Sequence, residues 1–167
     1  MAVRLRPKFE LRKMVAADLD EVMEIERAAF KHPWSTELFR RELDHDWSTV
    51  LLCLEPLTSA PGGRASERIV GFLIYWLVHD EVHILNVAVD PKQRRRGIAR
   101  LLLAETERKA ATSGASLLTL EVRRSNVSAL DLYRQFEYRA VGVRPNYYVD
   151  EGEDAIVMIK ELKKPRP

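Results

Sequence analysis

The sequence predicts an α/β fold in which a mixed sheet is flanked by helices. Three observations lead there. Short apolar runs of strand character recur along most of the chain. Amphipathic segments with helical spacing fall between them, and one strand gives way to a helix through a basic loop with a single glycine.

Taken in order, Phe9, Leu11 and Lys13 alternate with polar or charged neighbours, as in a short edge strand. Ala17 to Phe30 carries Leu19, Val22, Met23 and Ala29-Phe30 at helical spacing, with acidic residues early, where a helix dipole favours them. Pro33-Trp34-Ser35 breaks that helix, and Ser35 can cap a second one bearing Leu38, Phe39 and Leu43. Ser48 to Glu55 reads as a strand. Pro56 to Glu67, with Pro61-Gly62-Gly63, reads as a flexible hairpin connection inside one domain spanning residues 1–167. Ile69 to Val78 and Val82 to Val89 are long strands joined near His79-Asp80. Ile98 to Ser113 is the main helix and ends at Gly114. Leu117 to Val122 is a strand, and Ser125 or Asn126 caps a helix that runs to about Phe136. Arg139 to Arg144 and Ala155 to Lys160 are the last strands, with a polar, aromatic loop between them.

Composition narrows the function classes. With 46% hydrophobic and 31% charged residues over 167 positions, the chain can bury a substantial core and is neither disordered nor membrane-like. The 27 basic and 25 acidic residues leave a net charge of +2, which does not suit broad capture of nucleic acid. One cysteine, Cys53, cannot build an intrachain disulfide framework and sits in an apolar run, as a buried strand residue would. The first ten residues lack the apolar core of a signal peptide, and Ile69 to Val78 is too short to span a membrane. These features point to a cytoplasmic protein, with no direct nucleic-acid or membrane partner. His79 and His83 flank a strand turn, and His32 and His45 lack a ligand pattern, so no metal site is expected.

The segment Val87-Ala88-Val89-Asp90-Pro91-Lys92-Gln93-Arg94-Arg95-Arg96-Gly97-Ile98-Ala99-Arg100 is the most informative. The first N–H groups of a helix have no partner within it, and the helix dipole favours an anion there. A glycine at Gly97 allows close approach, and Arg94 to Arg96 add fixed positive charge. A solvated basic turn is the alternative. The spacing is neither a P-loop nor a three-glycine dinucleotide fingerprint.

Arg94, Gly97 and Ala99 form Arg-x-x-Gly-x-Ala, which resembles the acyl-coenzyme A pyrophosphate loop of the GNAT N-acetyltransferases. Leu120-Glu121-Val122-Arg123, Asn126 and Ala129 to Tyr133 resemble the family's second acetyl-coenzyme A motif. With Pro33-Trp34-Ser35, Asn146-Tyr147-Tyr148 and Glu153 to Met158, the pattern is most similar to the RimI-type group of bacterial ribosomal-protein alanine N-acetyltransferases, from about Leu11 to Ile159. The resemblance implies a seven-stranded, mostly antiparallel sheet with about four helices. It implies acetyl-CoA as donor and the N-terminal alanine of small-subunit ribosomal protein eighteen as acceptor; a monomer is expected, although the sequence does not fix the oligomeric state. Cofactor contacts would come from Val87, Ala88, Val89, Arg94, Arg95, Arg96, Gly97, Ile98, Ala99, Arg100 and Asn126. Trp34 and Tyr147 would flank the peptide. Acceptors of broader N-terminal range, a lysine or a small amine remain alternatives, as does a non-catalytic module that binds nucleic-acid phosphate.

Two residues could carry the chemistry. An α-amine is mostly protonated at neutral pH and cannot attack a thioester in that state. The carboxylate Glu121 can accept the proton, directly or through a water, although an ion pair with Arg123 or Arg139 would be an ordinary structural role. Tyr133 shares a helix with Ala129, Leu132 and Phe136, so it could be plain core; its phenol could also protonate a departing thiolate. The resemblance assigns Glu121 as base and Tyr133 as acid. One departure stands out: the family usually has Gly-Phe shortly after Leu-Tyr, and this chain has Glu137-Tyr138. That substitution implies either a different helix exit or strain.

Overall fold

A computed structural model of the protein describes residues 8–57 and 66–163. It contains seven strands in one mixed sheet, β1 (Glu10–Lys13), β2 (Ser48–Leu57), β3 (Ser66–Val78), β4 (Glu81–Val89), β5 (Leu117–Arg123), β6 (Arg139–Tyr148) and β7 (Glu153–Glu161), in the order β1-β2-β3-β4-β5-β7-β6. The helices are α1 (Leu19–Ala29), α2 (Thr36–Asp44), α3 (Ile98–Thr112) and α4 (Val127–Gln135), with 3₁₀ turns at Ala16–Asp18 and Pro91–Gln93. The elements therefore follow the sequence reading closely. Most of the expected hairpin connection, residues 58–65, lies outside the described residues.

The chain forms two compact units, Met1–Ile74 with Asn86–Ala104, and Tyr75–Leu85 with Glu105–Pro167. In the first, β1 pairs antiparallel with β2, and Val50 to Leu54 are all buried. Phe39 of α2 meets Phe72 of β3 edge-on at 5.5 Å, and the Trp34 ring lies tilted at 5.5 Å from that of Phe39. Ser35 caps α2 by accepting the Leu38 N–H at 3.2 Å, as the sequence suggested. Gly71 on β3 has a packing role: a Cβ there would stand 2.8 Å from Ile98 Cγ2 and 2.9 Å from the Ala88 carbonyl oxygen. Only a glycine lets the first turn of α3 settle this deeply onto the strands, which fixes where that helix begins.

In the second unit, β5 runs parallel to the start of β4, with Glu81 to Ile84 opposite Leu117 to Leu120, and antiparallel to β7. Leu118, Leu120 and Val122 are buried, so alternation turns Glu121 to the opposite face. One element departs from expectation. The polar, aromatic segment after Arg144 is not a loop at its start: β6 continues through Tyr148, with register shifts against β7 after Ala140 and Arg144. As the last strand of the sheet, β6 has an outer edge with no ladder to complete, so Pro145 and the left-handed Asn146 (φ 51°) are accommodated there.

Candidate active site

In the first unit the sequence-predicted anion loop is a folded turn. Asp90 accepts the Lys92 N–H at 3.0 Å, which starts the 3₁₀ turn. Arg95 and Gly97 then adopt left-handed backbone, with φ of 62° and 79°. A Cβ on Gly97 would meet nothing within 4 Å, so its torsion requires the glycine while the space beside it stays open to a ligand. Ile98 is 1% exposed, and its side chain is an anchor in the core; the helix start above it presents backbone. Val87 and Val89 are half-buried and Ala88 is buried on β4.

The three arginines of the loop are not equivalent. Arg94 and Arg95 are exposed. Arg96 is held by Glu55 and Gln93, with its guanidinium 5.0 Å from the Phe9 ring centroid. Glu55 also takes Arg68, and the two guanidinium groups bring its pKa down to about 2. Arg96 is thus a brace between the loop and β2, and Arg94 and Arg95 are the two loop arginines whose side chains are exposed. Ala99 is half-buried in the first turn of α3, and Arg100 is exposed beside it.

In the second unit Glu121 lies on β5, its side chain only 10% exposed. Its partners are not those expected. Arg123 turns instead to Glu153 (3.3 Å), Asp150 (3.5 Å) and Glu151 (3.7 Å), and Arg139 pairs with Glu161 at 3.0 Å. The acids around the β6–β7 turn outcompete a single carboxylate for Arg123, whose guanidinium also lies 4.0 Å from the Tyr148 ring centroid. Glu121 is held by His83 of β4, with Nε2 2.6 Å from Oε2, and by Arg144 Nε at 3.5 Å from Oε1. The His83 hydrogen bond lowers the Glu121 pKa against the opposing effect of burial, and the Arg144 charge adds to it. An ionised carboxylate has no proton to give, so the ring N–H donates. His83 also lines an open cleft of about 430 Å³ with Trp76, His79, Glu81 and Thr119, and its ring meets Trp76 edge-on at 6.4 Å.

Tyr133 sits on the buried face of α4, 7% exposed, its ring 5.6 Å from that of Tyr138. Burial pushes its phenol well above the usual range, so the hydroxyl keeps its proton at every working pH. Asn126 caps α4 by accepting the Ala129 N–H at 3.2 Å. Tyr147 is exposed on β6, edge-on to Tyr148 at 5.1 Å and under the Arg144 guanidinium at 5.9 Å. Trp34, in the first unit, is half-buried. His83 was missed by sequence reasoning. Its only signal was position: with Glu81 it is one of two polar residues that alternate with apolar ones at the start of β4.

The sequence profile described as the acetyltransferase (GNAT) family matches residues 19–138. A [ribosomal protein bS18]-alanine N-acetyltransferase of Salmonella typhimurium is 34% identical over 143 residues, covering 84% of this chain and 89% of that protein. An uncharacterised N-acetyltransferase of Methanocaldococcus jannaschii is 37% identical, covering 93% and 92%. The crystal structure of the ribosomal-protein-S18-alanine N-acetyltransferase from Escherichia coli superposes with a TM-score of 0.80 at 29% identity, covering 95% and 96%.

Proposed function

This chain belongs to the acetyltransferase (GNAT) family, and from that premise we propose that it moves an acetyl group from acetyl-CoA to a protein N-terminal α-amine, that of the alanine that begins ribosomal protein bS18. The observation that carries the reading is Glu121, a nearly buried carboxylate kept ionised by His83. The arriving amine, with a pKa of about 7.7–8.0, is largely an ammonium ion at neutral pH and needs an acceptor for its proton. Glu121 takes that proton, directly or through a water. The amine nitrogen then bonds to the thioester carbon. The C–S bond breaks as the carbonyl re-forms, the phenol of Tyr133 supplies the proton that the sulfur gains, and the second proton that the nitrogen sheds on becoming an amide restores that phenol, while Glu121 releases its proton to solvent.

The remaining site residues serve binding. The diphosphate of the donor lies on the backbone N–H groups from Gly97 to Arg100, with Arg94 and Arg95 adding charge. Arg96 and Ile98 shape the turn. Val87 to Val89 and Asn126 hold the pantetheine arm, and a backbone N–H of the strand polarises the thioester carbonyl. Trp34 and Tyr147 flank the peptide. An N-terminal α-amine suits this arrangement better than a lysine, whose pKa is about 2.5 units higher, so that far less of it is neutral near pH 7.

The test is acetyl transfer to two peptides, one beginning with alanine and one N-blocked with an internal lysine, read by mass spectrometry. The alanine peptide should be acetylated in large excess; predominant lysine acetylation would overturn the acceptor. Glu121→Gln should lower turnover roughly 10²–10⁴-fold, the usual range for general acid–base catalysis. Gly97→Glu should abolish donor binding by calorimetry, since it sets a negative side chain in the open space by the helix start. Full affinity in a folded Gly97→Glu protein would remove the loop from the site.

A further inference from the structure

Glu26, on α1, takes no part in the chemistry above, yet it is 1% exposed and carries a carboxyl group. Burying such a group is costly unless its oxygens are used. Here both are. Oε1 accepts the Trp34 backbone N–H at 3.2 Å, and Oε2 accepts from the Asn86 carboxamide at 3.1 Å. The carbonyl oxygen of the same residue takes the Phe30 N–H at 3.0 Å, closing α1. Both ends of the segment from Phe30 to Trp34 are therefore tied to one residue. Its third attachment, Asn86, immediately precedes the Val87–Val89 stretch of β4. The surrounding donors are a backbone amide and a carboxamide, and burial raises the Glu26 pKa against their pull.

We propose that Glu26 is a positioning residue for the acceptor peptide: it fixes the Pro33–Trp34 turn against Asn86 of β4, so that the wall touching the peptide keeps its place beside the strand that serves the donor. This rests on the peptide reading of Trp34 given above. Nothing in the chemical step passes through Glu26, so its loss should be felt in acceptor binding and hardly at all in turnover.

Steady-state kinetics separate these roles, with a hexapeptide beginning with alanine, alanine amide as a one-residue acceptor, and acetyl-CoA as donor. Glu26→Ala should raise the hexapeptide KM about tenfold or more, the equivalent of losing a hydrogen bond to a charged group. Its kcat, donor KM and alanine amide KM should stay within about threefold of the parent. Glu26→Gln should restore the hexapeptide KM, because its amide oxygen can accept from Trp34 and its NH₂ can donate to a turned Asn86 carboxamide. An unchanged hexapeptide KM in Glu26→Ala, or a parallel loss in every parameter, overturns the proposal. Should Glu26→Ala fail to fold, Asn86→Ala removes one attachment and must still raise the hexapeptide KM selectively. A parent enzyme that acetylates alanine amide but no peptide would overturn the peptide reading itself, and with it this role.

Discussion

Glu121 owes its charge to a neighbour 38 positions away in the chain. Because the His83 hydrogen bond holds it below the ordinary carboxylate range, it is already ionised where the enzyme works. With the ammonium proton passing to Glu121, the acidic limb of activity should follow that carboxylate and lie below the ordinary carboxylate range in the parent enzyme. His83→Phe removes the largest influence lowering the Glu121 pKa and leaves burial to raise it. The acidic limb of the kcat/KM profile, measured between pH 4.5 and 9, should therefore move to higher pH in that variant. An unmoved limb would mean that Arg144 and solvent suffice to hold the charge. Glu121 and Tyr133 were legible in the sequence because they stand in a motif with fixed spacing. His83 was not, because β4 and β5 are parallel strands joined through α3, and nothing in such a crossover states the register. Only the pairing of His83 with Thr119 puts it diagonal to Glu121 on one face.

The ends of α3 and α4 show how one backbone motif tolerates two residues. After α3, the Ala115 N–H reaches the Ala110 carbonyl at 3.0 Å and Gly114 reaches Ala111 at 3.1 Å, with Gly114 at φ 77°. After α4, Tyr138 reaches Tyr133 at 2.9 Å and Glu137 reaches Arg134 at 2.9 Å, with Glu137 at φ 68°. Both are Schellman ends, and the second sets the Tyr138 ring against Tyr133, the apolar contact typical of the motif. The departure noted in the sequence thus left the helix exit unchanged and introduced strain. A side chain in the left-handed region costs about 1–2 kcal/mol, and the extra freedom of glycine in the unfolded chain offsets part of that. Glu137→Gly should stabilise the protein by roughly 0.5–1 kcal/mol, seen as a Tm higher by about 1–4 °C in thermal melts. A lower Tm would mean that the Glu137 side chain makes a contact worth more than the strain. An end of this kind is legible where a glycine marks it, as at Gly114, and not where a residue such as Glu137 takes the left-handed place. The extension of β6 was not legible either, because Pro145 and Asn146 signal a turn anywhere except on a bulged edge strand.

Across the whole molecule, element order was legible because each apolar period is local, whereas the strand order was not. The place of β7 between β5 and β6 depends on which edges remain available after α4 returns the chain, a tertiary outcome with no sequence period. Stability against acid depends on the same long-range pairings and can be argued from the described carboxylates. Hydrogen bonds from Arg12, Arg96, Arg108, His83 and Ser125 lower the pKa of Asp18, Glu55, Glu105, Glu121 and Glu153 respectively. Each of these stabilises the fold above the unfolded carboxylate range, about 3.9–4.3, and loses that contribution as pH falls through its folded value, which for Glu55 is about 2. Burial moves Glu26 and Glu107 the other way, despite the ion pair of Glu107 with Lys160. A raised folded pKa means that the native state binds protons first, so these two favour folding more as pH falls from neutrality. The two groups act in different windows. Tm should hold level or rise slightly from pH 7 to about 5, then fall steeply below about 4 as the hydrogen-bonded carboxylates become protonated. Calorimetric melts across pH 3–8 measure this directly. A Tm that declined steadily from pH 7 would show that Glu26 and Glu107 are ionised in the native state without penalty, and that their burial does not govern their titration.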